Sequence, residues 1–283
     1  MDYSEHEVPA ALRSHVQCLW RLRDAAPSPE PQTIYPDGRC EIIVHLAAPM
    51  QILCADGTWQ AQSRCLFAAQ SRAAIRLRAI GALDCLGARL HPAASAAVID
   101  PQATGSLTLA SLVDRVVDLK LIDARWAREV GRHLDNGAAD PQPGFAQALI
   151  EWLAHRAVDA GIAAVVRAID DARGNLSVRS LAATSGTGLR TLQSRFLSAV
   201  GLTLKEYALV QRLQATIREL DGSGGALAET ALAVGFADQA HATRAVRKFA
   251  GLTPAKLRRA LLAERDGDRT LALAAAFVRG GSG

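Results

Sequence analysis

The side chains best suited to chemistry lie in two short runs of the back half. Arg190, Gln193, Ser194 and Arg195 form one; Gln239, His241, Thr243, Arg244, Arg247 and Lys248 form the other, about fifty residues on. Arginine can pair in two-pronged fashion with guanine and glutamine with adenine, each worth about 1–3 kcal/mol of discrimination. Lysines and arginines aimed at phosphates add affinity and salt dependence but no sequence information. The charge distribution points the same way. Residues 173–259 carry 13 Lys and Arg against 5 Asp and Glu, whereas residues 1–172 carry 16 against 20. A basic segment attracts polyanions, nucleic acid being the usual one; a solvated basic surface is the other reading of charge alone.

Other chemistry finds less support. Five cysteines (Cys18, Cys40, Cys54, Cys65, Cys85) crowd the first third, odd in number and without a CxxC pair. That argues against a disulfide framework and against a zinc finger. His15, His45 and His91, with Asp37 and Glu41, could gather near one strand, where Glu41, Ile43 and His45 share a face, but no ligand spacing supports a metal. No GxSxG, Walker or HExxH motif occurs. No catalytic residue, metal or cofactor is assigned. The rival to DNA binding as the main function is a thiol- or metal-dependent sensor or enzyme in the front half, with DNA binding auxiliary.

The elements that must hold these residues follow from the pattern. At 283 residues and 49% apolar composition, two cores can be buried. The expected fold class is α+β: a small β-barrel or sandwich with helices, then an all-α domain. Strands are predicted over residues 16–23, 40–46, 51–54, 58–62, 74–80 and 84–90, with turns at Pro36-Asp37-Gly38 and Ala55-Asp56-Gly57. Helices are predicted over 93–99, 109–119 and 123–134, the zone 109–134 being the expected dimer surface by amphipathicity. The clearest linker is 136–144. Domain bounds are set at 1–136 for a sensing or dimerisation domain, 137–159 for a linker and connecting helix, 160–264 for the helical domain and 265–283 for a tail that ends in GGSG. No apolar run reaches the ~18 residues of a membrane span, the nearest being 271–278, and the start is polar and acidic; a cytoplasmic protein without membrane contact is expected.

The helical part contains a repeat. Phe196-Leu-Ser-Ala-Val-Gly201-Leu202-Thr203 returns as Val246-Arg-Lys-Phe-Ala-Gly251-Leu252-Thr253, and Leu181-Ala182 to Gly186 returns as Thr230-Ala231 to Gly235. Each copy reads as a short helix, a glycine turn and a second helix, a helix-turn-helix. The inward face is Leu189, Leu192, Phe196 and Val200 in the first copy and Ala242, Ala245, Val246 and Phe249 in the second. Arg190, Thr191 and Ser194 fall opposite, with Gln193 on the flank. Thr203 to Glu206 fits a capping box that opens a helix running to Asp221, and Thr253-Pro254 opens another.

These residues carry a family resemblance. Leu181-Ala182, Gly186, Leu192-Gln193, Arg195-Phe196, Gly201, Tyr207 and Arg212-Leu213 look like the first helix-turn-helix of the AraC/XylS transcription regulators. Glu229 to Gln239, His241, Arg244, Gly251 to Pro254 and Leu257-Arg258 resemble the second, more diagnostic one. The resemblance implies seven helices with two reading heads on a central helix, entering successive major grooves of double-stranded DNA. It implies Arg190, Gln193, Ser194, Gln239, His241, Thr243 and Arg244 at base edges, with Arg195, Arg247 and Lys248 better placed for phosphates. RNA polymerase, a small-molecule effector and a second copy of the chain are the further partners of this reading. The sequence departs from the family where Ala242 and Val246 replace phenylalanine, which predicts thinner packing, and where Gly188 replaces a capping serine, leaving Thr187 as the substitute cap. In the front half, Ile34 to His45, Gly87 to Pro92 and Asp114 to Val117 resemble a module found ahead of such helix-turn-helix domains.

Overall fold

The computed structural model describes residues 1–100, 104–134, 140–222 and 227–266. Most of the tail, 267–283, and the apolar run 271–278 lie outside the described residues, as do 136–139 of the expected linker.

Among the described residues the front half holds ten strands: β1 (Asp2–His6), β2 (Val16–Asp24), β3 (Gln32–Ile34), β4 (Glu41–His45), β5 (Gln51–Leu53), β6 (Trp59–Ala61), β7 (Cys65–Ala68), β8 (Ile75–Arg78), β9 (Leu83–Leu90) and β10 (Val116–Asp118). They form two open antiparallel sheets, β1-β2-β9-β4-β7-β10 and β3-β8-β5-β6. Strand alternation sends successive side chains to opposite faces. Trp20, Leu22, Leu83 and Cys85 therefore meet Ile34 and Leu77 of the smaller sheet, while Leu19, Ile42, Val44, Leu86 and Ala88 meet helices on the other side. The result is a sandwich with a helical third layer, not a barrel.

The pattern changes at Pro92, but the helix expected over 93–99 is a 3-10 helix, Pro92–Val98. The helix expected over 109–119 stops after α1 (Leu109–Leu112). Asp114 takes a φ of +67°, and the β-branched Val116 and Val117 extend beside β7 as β10. Two helices follow, α2 (Ala124–Leu134) and α3 (Gln142–Leu153). Trp126 of α2 stacks on Trp152 of α3 with ring centroids 4.0 Å apart, and Trp126 Nε1 donates to Ala148 O at 2.7 Å. The helix expected as a connector is thus part of the front core. The apolar stripe that suggested a dimer surface is spent there too, since Leu109, Leu112, Val117, Leu119, Ile122, Trp126 and Val130 are all buried.

The back half is seven helices among the described residues: α4 (Ala160–Asp171), α5 (Val178–Thr184), α6 (Leu189–Val200), α7 (Leu204–Gly222), α8 (Leu227–Ala233), α9 (Gln239–Ala250) and α10 (Pro254–Asp266). The repeat holds to the residue: α6 and α9 start fifty apart, α5 and α8 forty-nine. The 19-residue α7 runs between them, about 28 Å long at 1.5 Å per residue. Its start is the capping box expected: Thr203 N donates to Glu206 Oε2 at 3.0 Å and Glu206 N to Thr203 Oγ1 at 3.2 Å. Leu204, Tyr207, Val210, Leu213, Ile217 and Leu220 give α7 its buried stripe.

Candidate nucleic-acid interface

The first unit is α5, a turn and α6. Ser177 caps α5 by accepting from Ser180 N at 3.0 Å, and Gly186 makes the turn at φ +62°, a left-handed conformation that a side chain would strain. Leu192, Phe196 and Val200 of α6 face the core, where Phe196 meets Tyr207 edge-on at 5.7 Å. Leu189, expected inward, is 40% exposed. It sits at the first helical position, next to the Gly188 cap. Thr187 does not replace the missing cap: its hydroxyl donates back to Ser185 O, and Gly188 caps α6 without a side-chain bond. Arg190, Gln193 and Ser194 are exposed on the outer side. Arg195 is exposed but engaged, its Nη2 lying 2.7 Å from Asp159 Oδ2. Asp159 also accepts from Gly161 N and Ile162 N, capping α4. The Arg195 hydrogen bond holds the Asp159 carboxyl below its ordinary value against partial burial.

The second unit has the same plan with other surface chemistry. Gly235 turns the chain at φ +83°, and Asp238 caps α9 by accepting from His241 N at 2.6 Å. Ala242, Val246, Phe249 and Ala250 are buried. The unit has a satellite core of Ala215, Ala231, Val234 and Ala242 closed around Phe236. Gln239, Arg244, Arg247 and Lys248 are exposed, while His241 and Thr243 are half-buried, with His241 edge-on to Phe236 at 5.3 Å. Along α9, Arg244, Arg247 and Lys248 recur at i, i+3 and i+4, which makes one cationic ridge. The matching positions on α6 are Ser194, Leu197 and Ser198.

A group of residues that sequence reasoning missed ties these units to the sheets. Arg39 reaches across the chain, donating to Tyr207 OH at 2.5 Å and Asp170 Oδ2 at 2.9 Å, while Tyr207 OH donates to Asp170 Oδ1 at 2.7 Å. Burial opposes the Arg39 charge, but Tyr207, Asp170 and Asp37 outweigh it and raise its pKa. Gln211 Nε2 donates to Asp37 O at 3.0 Å and Gln214 Nε2 to Pro36 O at 2.6 Å. The Pro36–Arg39 turn thus docks on α7. Gly38, at φ +78°, lies so close that a Cβ would come within 2.8 Å of Gln211 Nε2 and Tyr207 Cε2. The signal available in the sequence was the Ile34–His45 stretch itself, whose turn was visible but whose partner 168 residues away was not. Further ties are Arg72 with Glu206 at 3.5 Å, Ala74 N donating to Phe249 O at 2.9 Å, and α6 packed on the Pro92–Val98 turn.

The thiols and histidines of the front half have structural partners. Cys18, Cys40 and Cys85 are buried, and burial pushes each thiol up to about 12, so they stay protonated at neutral pH. His45 lies between Gln62 Oε1 and Cys85 Sγ, His15 Nε2 meets Arg156 O at 2.8 Å, and Glu41 pairs with Arg89 at 2.9 Å. Among the described residues no three His, Cys, Asp or Glu side chains are grouped to hold a metal ion, and no helix is long and apolar enough to cross a membrane.

Comparison with known proteins falls into the same two parts. Residues 181–260 match the family described as a helix-turn-helix domain, and residues 4–115 match a domain family of unknown function. No curated protein matches the chain. Among solved structures, apo ToxT K231A from Vibrio cholerae aligns with 90% of this chain and 100% of its own at 10% identity and a TM-score of 0.44. ToxT from the same organism with an unsaturated fatty acid bound aligns with 85% and 93% at 12% identity and 0.41. The AraC-like transcriptional activator CuxR aligns with 71% and 78% at 15% identity and 0.27. Two helix-turn-helix units on one spacer define the class, a DNA-binding type of domain. Residues 181–260 are an AraC-type helix-turn-helix domain, and a β-rich domain stands ahead of it.

Proposed function

We propose that the chain is a sequence-specific regulator of transcription whose units α5–α6 and α8–α9 enter adjacent major grooves of duplex DNA. The observation that carries this reading is one scaffold repeated at a fifty-residue interval, both second helices exposed on their outer sides and joined by the stiff α7. A spacer of about 28 Å suits grooves roughly 34 Å apart on one face of the duplex. Arg190, Gln193 and Ser194 on α6, with Gln239, His241, Thr243 and Arg244 on α9, are the base readers of this proposal. Arg247 and Lys248 serve phosphates; Arg195 joins them only when it leaves Asp159. The front half acts in the cytoplasm as the sensing domain, through a small molecule, a second copy of the chain or contact with RNA polymerase. A ligand shifts the DNA-competent population only by its differential affinity for the two states, and the Arg39 docking onto α7 gives that difference a route.

The test is selection of duplexes from a random pool, followed by binding measurements on the selected site and on unselected DNA. Arg190→Ala weakens the selected site about tenfold or more and unselected DNA little, whereas Lys248→Ala weakens both alike. Equal losses on both DNAs for Arg190→Ala remove it from the readers, and a pool that yields no preferred sequence removes the proposal.

A further inference from the structure

The front half is acidic overall, yet one of its helices is lined with cations. Residues 119–134 hold four of the 16 Lys and Arg of residues 1–172 but two of its 20 Asp and Glu. Trp126 and Val130 bury one face of α2. Arg125, Arg128 and Arg132, at i, i+3 and i+7, stand exposed on the opposite face, and Lys120 is exposed just ahead of the helix. Arg132 pairs with Glu129 of its own helix. Arg125 and Arg128 make no ion pair among the described residues. This arrangement costs the helix stability. Like charges three and four residues apart repel, and Arg125 sits in the first turn, at the positive end of the helix dipole. A face kept for solubility alone would mix the signs. An anion laid along the ridge removes the repulsion.

The packing sets this ridge beside the first reading unit. Asp123 caps the start of α2 by accepting from Trp126 N at 2.9 Å, and it lies 3.9 Å from Arg156. Arg156 Nη1 donates to Ala97 O at 2.9 Å, in the Pro92–Val98 turn on which α6 packs. Three residues on, Asp159 holds Arg195 of α6. One short chain of contacts therefore joins the foot of α2 to α6. That unit is also the one short of cations, with Arg190 the one arginine on the outer ridge of α6.

We propose that Arg125, Arg128 and Arg132 hold the phosphate backbone of the duplex flank beyond the α5–α6 unit. The β-rich domain thereby supplies the grip that this unit lacks. Such a contact adds affinity and salt dependence but no sequence preference. The inference rests on the DNA-binding reading above and extends it to a surface outside both helix-turn-helix units.

The full chain is titrated with a selected duplex cut to its two groove sites, and with that duplex lengthened at one end or the other by about 15 base pairs, roughly one and a half turns. Lengthening one end is expected to tighten binding about tenfold, and lengthening the other to change it little. The double variant Arg125→Gln/Arg128→Gln loses this gain and keeps its affinity for the short duplex. Both substitutions lie at exposed positions and relieve repulsion, so the melting temperature holds or rises. Arg76→Gln, an exposed change on β8, leaves the gain in place. On a long unselected duplex the double variant lowers the slope of log affinity against log salt by about 1–2, a readout that needs no sequence preference. No gain from either end, a gain that survives the double variant, or an unchanged salt slope overturns the proposal. A chain that binds the short duplex selectively without the gain leaves the regulator reading standing. A chain without sequence preference overturns that reading, and the salt slope still decides this one.

Discussion

The two helix-turn-helix units share a backbone plan and differ in almost everything laid on it. The first is tied into the molecule: Leu181, Leu192, Phe196 and Val200 enter the large helical core, α6 packs on the Pro92–Val98 turn, and Arg195 holds Asp159. Its outer ridge carries one arginine, Arg190, with Ser194, Leu197 and Ser198. The second sends Val246, Phe249 and Ala250 into the same core, adds a small satellite core around Phe236, and carries Arg244, Arg247 and Lys248 on the matching ridge. A duplicated scaffold fixes where a side chain stands, not what it does. In this protein both copies feed the large helical core, and the difference lies on the outer ridge, where the second copy carries three cations and the first carries one.

Four experiments can break or sharpen that contrast. Phe196→Ala should destabilise the chain most, by about 3–5 kcal/mol, because it empties a fully buried ring site in the shared core. Phe236→Ala should cost less, since its neighbours are mostly alanines that already contribute little packing. Chemical denaturation compares the two, and equal losses would mean the satellite core is as essential as the main one. On DNA, Arg244→Ala should cost about 1–3 kcal/mol at a selected site, while Ser194→Ala, its counterpart, costs under a third of that. Titration on the same duplex measures both, and reversed ranks would contradict the division of charge. Asp238→Ala removes the α9 cap at a cost of about 1 kcal/mol, whereas Gly188→Ser should stabilise α6 by a few tenths, read as shifts in unfolding midpoint. The smallest effect belongs to the Arg195–Asp159 pair, a half-exposed contact worth under about 1 kcal/mol. Its carboxyl pKa is depressed, so its contribution is present above the ordinary aspartate value of 3.8 and is lost as pH falls through the lower folded value. Asp159→Asn should abolish that acid-dependent loss in melting scans taken across pH 2–5, while leaving a constant offset at neutral pH.

The back half was legible because a 3.6-residue period, turn glycines and caps are local signals, and the repeat displayed each of them twice. The placement of α6, α7 and α9 followed directly. Leu189 was misread because periodicity assigns a face without knowing where the neighbouring helix ends. In the front half, strand runs with clear alternation were visible, but β1, β3, β7 and β10 were not, being short or irregular in pattern. β10 looked like helix because Leu109, Leu112, Val113 and Val116 happen to keep helical spacing; the free edge of β7 decided otherwise. The Arg39–Asp170–Tyr207 cluster could not be read at all, since its members stand 131 and 168 residues apart and only the packed domains bring them together.

Hydroxyl-radical footprinting of the full chain on a selected duplex tests the central claim most directly. Two protected patches on one face of the helix, about 10 base pairs apart, are expected, with the patch under α8–α9 lost first as salt rises. A single patch, or two on opposite faces, would contradict paired reading heads held by α7.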